Sequence, residues 1–282
     1  MLDTPPLSHT AEQVRRYDRD RFVTGLFAPA SRREDLFALY AFNLELAKVR
    51  EVVREPVMGQ IRLQWWRDVV SAISAGAESP AHPVAGPLAE AMRRHRLDDG
   101  VLQRLIDSRE ADLGDEPPPN LAALEAYAEA SSATLTDLAL AVLGADREAT
   151  RRAGRHVGIA WALVGLLRAV PFHARLGRLT LPADRLATHG VTRDQVLSGQ
   201  AVPGLNRVAA EVAELARDHL RRARSERRSV EPAALPVLLP ARLADAHLAA
   251  LSRSGHTLFA PGWPTSGRHP VRLAVSALLR RW

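Results

Sequence analysis

The chain has 282 residues, 46% hydrophobic and 25% charged, an ordinary globular composition sufficient for one large domain or two small ones. It contains no cysteine, which excludes structural disulfides and thiolate metal sites. Its 38 basic and 32 acidic residues give a formal net charge of +6, but without the dense basic tail or aromatic–basic interleaving of a nucleic-acid binder.

Residues 11–54 read as helical. In "REDLFALYAFNLELAKVREVV" apolar residues fall at Leu36, Leu39, Tyr40, Leu44, Leu46 and Val49, near the helical period. Ser31 followed by Glu34 fits a capping box at its start, and Pro56 disfavours helix at the residue before it. A second helix is expected over 58–76, ended by Gly76, then two more over 88–97 and 100–114. In "QWWRD" adjacent indoles diverge by about 100°, so one of Trp65 and Trp66 should pack inward. Asp107, Arg109, Glu110 and Asp112 read as a set of salt bridges among themselves. "DEPPPN" breaks the chain at 115–120, and Asn120 should cap a helix over 121–144. A helix follows over 146–170, ended by Pro171, and the series closes with short helices near 182–190 and 192–199, a long one over 206–226, and helical runs over 232–255 and 269–282. No sustained β-alternation or fixed repeat occurs, so the expected architecture is one all-α domain, 1–282, of antiparallel helices around a central cavity or core.

The N-terminus lacks the basic and apolar regions of a secretory signal, and the apolar run 157–167 is shorter than the roughly 20 residues a membrane span needs. A cytoplasmic chain, at most peripheral to an inner membrane, is the expectation. Lys48 is the only lysine, so the positive charge is otherwise arginine. That excess reads either as compositional bias or as an anion surface for diphosphate or anionic lipid.

"YAFNLELAKVRE" and "GLLRAVPFHARLGRLTLPAD" carry a resemblance to the squalene/phytoene synthase family, as do "RDRFVTGLFAPASRREDLFALYAF", "IRLQWWRDVVSAI", "LIDSREADL" and "YAEASSATLTDLALAVLG" between and around them. The resemblance implies an isoprenoid-synthase-type helical bundle. In active members two aspartate-rich motifs face each other across a cavity and hold Mg²⁺, which bridges the diphosphate of a prenyl substrate. Laid on this chain, the acidic places of the first motif, roughly "YAFxxxxDDxxD", fall on Ala47, Lys48 and Glu51. Those of the second fall on Ala169 and His173, while Arg168, Gly177, Arg178, Leu181 and Pro182 match. The scaffold signals are kept and four of five carboxylates are missing. His173 with Glu51 supplies too few ligands for a transition metal, so no metal or other cofactor is expected.

Arg168, Arg175 and Arg178 remain candidates for an anion or diphosphate site, or for pairing with acids such as Asp184. Tyr40, Ser132 and Gly165 are candidates to line the cavity, and no histidine–acid arrangement beside Ser131, Ser132 or Thr134 marks a nucleophile. The pattern is similar to a non-catalytic branch of the family that assists respiratory complex I assembly. This implies protein partners, or a prenyl or lipid ligand, with peripheral membrane contact. The alternative is a working head-to-head prenyltransferase with an altered, Mg²⁺-dependent metal site, and a lipid carrier is a third reading.

Overall fold

Ser8 begins the ordered helical series by accepting a hydrogen bond from the Ala11 amide, which caps α1 (His9–Tyr17). The computed structural model describes residues 6–53, 55–260, 263, 270–279 and 282. Asp18 caps α2 (Arg19–Gly25) in the same way. Then come α3 (Ala30–Ala47), α4 (Val49–Val52), α5 (Pro56–Ser74), α6 (Ala85–His95) and α7 (Asp99–Asp107). After a 3₁₀ turn at Glu110–Leu113 follow α8 (Leu121–Ala128), α9 (Thr134–Leu143), α10 (Glu148–Arg175), α11 (Ala183–Thr188) and α12 (Arg193–Leu197). The series ends with α13 (Pro203–Ser225), α14 (Leu235–Leu238), α15 (Pro240–Arg253) and α16 (Pro270–Leu278). No strand occurs among the described residues.

Several boundaries differ from the sequence expectation, each for a local reason. Pro29, not Ser31, precedes α3; Ser31 lies in the first turn, and Glu34 accepts instead from the Ser8 hydroxyl. The helix expected to run to residue 54 breaks at Lys48, and Pro56 opens the next helix, where its missing amide costs nothing. Arg54 lies outside the described residues. The helix expected over 100–114 ends at Asp107. Pro171 does not end α10, which continues to Arg175. The expected helix over 121–144 is interrupted by a π-turn at Glu129–Ala133, while Asn120 caps its start as expected.

The core is built around α10. It packs against α13 and α15 on one side and against α8, the π-turn and α9 on another, while α3 packs on α1, α6 and α9. One close approach is at Gly158. A Cβ there would lie 2.7 Å from Ala133 Cα and 2.9 Å from the Ser132 carbonyl oxygen, so backbone meets backbone with no room for a methyl group. Trp66 is buried beside Phe42 and Trp65 is partly exposed, so one indole of the pair does pack inward. Two described stretches, Glu148–Arg175 and Pro232–Arg253, are long and apolar enough to cross a membrane; more than half of the most apolar window of each is buried within the fold. The first contains the 157–167 run, so the whole helix is longer than that run suggested.

Two glycines of α10 should respond oppositely to alanine. Gly158→Ala should destabilise by about 1–3 kcal/mol through overpacking against backbone. Gly165→Ala, whose added methyl meets nothing within 4 Å, should stabilise by about 0.5–1 kcal/mol through helix propensity. Urea unfolding followed by circular dichroism checks both.

Candidate functional site

The two motif segments lie at the ends of α3 and α10. At the first, Lys48 closes α3, and its ammonium sits 3.4 Å from the centroid of the Tyr17 ring and donates to Gln13 Oε1 at 3.3 Å. Aromatic face and amide oxygen solvate the cation from α1. Glu51 is exposed on α4 and Ala47 is half-buried.

At the second, Gly177 adopts a left-handed conformation, φ +72°, immediately after α10. This turn lets the Arg178 amide donate to the His173 carbonyl at 2.9 Å, and the Arg178 side chain then donates to the Asp112 carbonyl at 2.9 Å. The next segment is fixed from outside: the first amides of α11, at Ala183 and Asp184, donate to the carbonyls of Pro118 and Pro119. The "GR…LP" pattern therefore works as a helix stop and a clamp on the proline loop.

The three candidate arginines do not converge on one anion site. Arg168 pairs with Asp20 at 3.2 Å and lies over the Trp161 ring. Arg178 is taken up by the Asp112 carbonyl, and Arg175 is exposed. Asp184 pairs with its neighbour Arg185 rather than with any of the three. Burial lifts the Asp20 carboxyl above the ordinary carboxylate value despite the pull of Arg168. Burial, reinforced by Arg178, pushes the His173 imidazole below its ordinary value, against a weaker pull from Asp112. His173 is therefore neutral near pH 7, and Ala169 beside it is half-buried and offers no donor.

Between the motifs lies a knot of buried polar groups. Arg109 donates to Asn43 Oδ1 at 2.9 Å and to the Tyr127 hydroxyl at 3.1 Å and pairs with Asp112, while the Tyr127 hydroxyl donates to Asp112 at 2.8 Å. Burial raises Tyr127 well above the ordinary phenol value, so it remains a donor. Asp107 and Glu110 do not join this set; both pair with Arg67 of α5. The sequence pointed to Arg109 and Asp112 as a pair but missed Asn43, Tyr127 and Arg67, which come from distant segments.

Deeper in, Tyr40 is buried with its hydroxyl pushed up to about 12 by burial, opposed by Arg21, whose guanidinium lies 5.8 Å from the ring centroid. Arg21 pairs with Asp18 and donates to the Ser132 hydroxyl at 3.4 Å. Ser131 and Thr134 return their hydroxyls to carbonyls of their own helix. The void bounded by Arg21, Tyr40, Trp161 and Gly158 measures about 10 Å³, room for about one water. Around Tyr40 and Gly158, therefore, the described side chains leave little space. Gly165 does not line that void, and a methyl group added there would meet nothing within 4 Å. A larger cleft of about 270 Å³ opens at the motif end, lined by Pro117, Leu124, Tyr127, Leu166, Arg178 and Leu179 among others.

The arrangement of helices and motif segments has a match among known proteins. A profile of squalene/phytoene synthase matches residues 14–277. The chain belongs to the squalene/phytoene synthase family. It is 34% identical over 272 residues to the "NADH dehydrogenase (ubiquinone) complex I, assembly factor 6" of Bos taurus, covering 96% of this chain and 80% of that one. It is 27% identical to the presqualene diphosphate synthase of Rhodopseudomonas palustris, covering 68% of each chain. The crystal structure of squalene synthase HpnC from Alicyclobacillus acidocaldarius superposes with a TM-score of 0.77 at 21% identity, over 88% of this chain and 93% of that one. That likeness is one of fold.

The donors at the motif positions do not fit a diphosphate-bridging Mg²⁺. A hard cation needs oxygen ligands, and these positions supply two methyl groups, an ammonium, a neutral imidazole and one exposed carboxylate. Among the described residues no group of three or more His, Cys, Asp or Glu is placed to hold a metal.

Because His173 is depressed in the folded protein, the unfolded chain takes up its proton first as pH falls through about 6.5. Native stability attributable to this residue is therefore present above that pH and lost below it. His173→Gln should gain melting temperature relative to the wild type as pH is lowered from 7.5 to 5; an unchanged difference contradicts the assignment.

Proposed function

We propose that this protein is a non-catalytic member of the squalene/phytoene synthase family that acts by binding during assembly of the respiratory NADH dehydrogenase, complex I. The observation that carries the proposal is the chemistry of the five motif positions. Ionising an allylic diphosphate requires cationic stabilisation of the leaving group, supplied in the family by carboxylate-held Mg²⁺. Here one motif position carries its own positive charge, already solvated by Tyr17 and Gln13, and of the neighbouring arginines Arg168 and Arg178 are engaged with Asp20 and the Asp112 carbonyl. The identity with the bovine assembly factor across nearly the whole chain supports the assembly role over a catalytic one. We take residues 1–282 as one domain, located in the cytoplasm and peripheral to the inner membrane where its client complex resides.

The cleft at the motif end favours a second, compatible reading. Leu124, Leu166 and Leu179 give it apolar walls, and Arg178 lies at its side. A segment of a prenyl or lipid chain fits such a lining, and co-purified lipid detected by mass spectrometry would support a carrier role.

Purified protein incubated with farnesyl or geranylgeranyl diphosphate and Mg²⁺ should yield no coupled product above a protein-free blank. Metal-dependent carbon–carbon coupling would overturn the proposal. The combined variant Ala47→Asp, Lys48→Asp, Ala169→Asp and His173→Asp should remain nearly inactive, because the supporting hydrogen bonds that orient metal ligands are not supplied with them. On native gels of membranes, tagged protein should co-migrate with partly assembled NADH dehydrogenase; migration only as isolated chain argues against the assembly role.

A further inference from the structure

Helix α5 is apolar on two opposite faces. Its inward face holds Leu63, Trp66, Val70 and Ile73 in the core. Its outward face presents Val57 (51% exposed), Met58 (50%), Ile61 (56%) and Trp65 (39%) to solvent. Val57, Ile61 and Trp65 recur every fourth residue, so they form one continuous stripe, about 12 Å or two turns long, on the side of α5 away from Leu63 and Val70. The Trp65 ring also packs against Trp66 and His82, but half of the Val57 and Ile61 surface is uncovered, and a run of large apolar side chains on an outer face is a recognition surface.

Charge narrows what can cover it. Segments 50–68 and 107–116 hold eight acidic and five basic residues, in a chain whose net charge is +6. The second segment is fixed beside α5 by the Arg67 pairs with Asp107 and Glu110, by the Arg50–Asp115 pair, and by Leu113 against Gly59. These ion pairs consume Arg67 and Arg50; among the described residues of these segments, exposed Glu51, Glu55, Asp68 and Glu116 then outnumber the exposed cation Arg62, so the border is acidic on balance. Such a border repels anionic lipid headgroups, and it repels the same face of a second copy. It complements an apolar stripe flanked by lysine or arginine.

We propose that the outward face of α5 docks an amphipathic helix of a partner protein, with a basic border on either side of its apolar stripe. This rests on the binding role proposed above and specifies the partner's chemistry. Trp65 and Met58 supply the anchors, since a large aromatic and a flexible thioether adapt to a facing helix with little ordering cost.

The test uses the full chain and two designed 18-residue amphipathic peptides with identical leucine stripes, one flanked by lysine and one by glutamate. The lysine peptide should bind at least about tenfold tighter, and Ile61→Ser with Trp65→Ser should abolish the difference while far-ultraviolet circular dichroism stays unchanged. Reversing the border with Glu55→Lys and Glu116→Lys, which disturbs no ion pair, should invert the preference. Equal binding of both peptides, or binding unaffected by the serine substitutions, overturns the proposal. So does binding to phosphatidylglycerol vesicles that the serine substitutions abolish. In cells lacking the gene, the serine variant should fail to restore NADH dehydrogenase activity. Full restoration by it removes the docking surface and leaves the assembly role standing. If deletion causes no loss of that activity, the assembly role falls, and the peptide measurement alone judges the surface.

Discussion

The fold depends on the close approach of α10 to the π-turn at Gly158. A helix that runs through the middle of the bundle must leave room for neighbours on every side, and at this point the backbones touch. The extra residue of the π-turn lets Ser132 and Ala133 reach α10 while Ser131 and Thr136 return their hydroxyls to local carbonyls. With that contact made, the same helix carries Arg168 and His173 out to the motif end. The position of the motif is therefore a consequence of core packing rather than of any chemistry at the motif itself.

At that end, charge compensation has moved inside the protein. A site designed to bring a divalent cation and a diphosphate together keeps uncompensated carboxylates facing a cavity. Here Lys48, Arg168 and Arg178 each have a partner within the fold, and Arg109, Asn43, Tyr127 and Asp112 are linked in one network. Such linking rigidifies its surroundings, although the buried Nε of Arg109 has no partner. Apolar side chains are left uncovered at Phe172 and Leu176 beside the motif and, as a stripe along one helix, at Val57, Ile61 and Trp65 of α5. This is the distribution expected when binding, rather than turnover, is the function kept.

Much of the helical series was legible, because helices with strong periodicity and clear caps report themselves: Asn120 at α8 and Gly76 after α5 are examples. The misses share a cause. Pro171 read as a helix end, yet α10 continues to Arg175 with Val170 and Ala174 buried on either side of the proline, and tertiary packing outweighs one lost hydrogen bond. The Ser31 cap was displaced because Glu34 found Ser8 from α1, a partner far away in the chain. At the motif end the missing carboxylates were visible in the residues themselves. The partners of the cations were not, since Tyr17 reaches Lys48, Asp20 reaches Arg168 and Asn43 reaches Arg109 only through the packing of separate helices. Gly165, expected at a cavity, faces open space and is not among the residues around the small void at Tyr40.

The most direct measurement is deletion of the gene in its own host, with NADH dehydrogenase activity and squalene, hopanoid and carotenoid content determined side by side. Binding in complex I assembly predicts that the dehydrogenase activity falls while the isoprenoid products stay unchanged. Loss of an isoprenoid product with normal dehydrogenase activity would contradict the account.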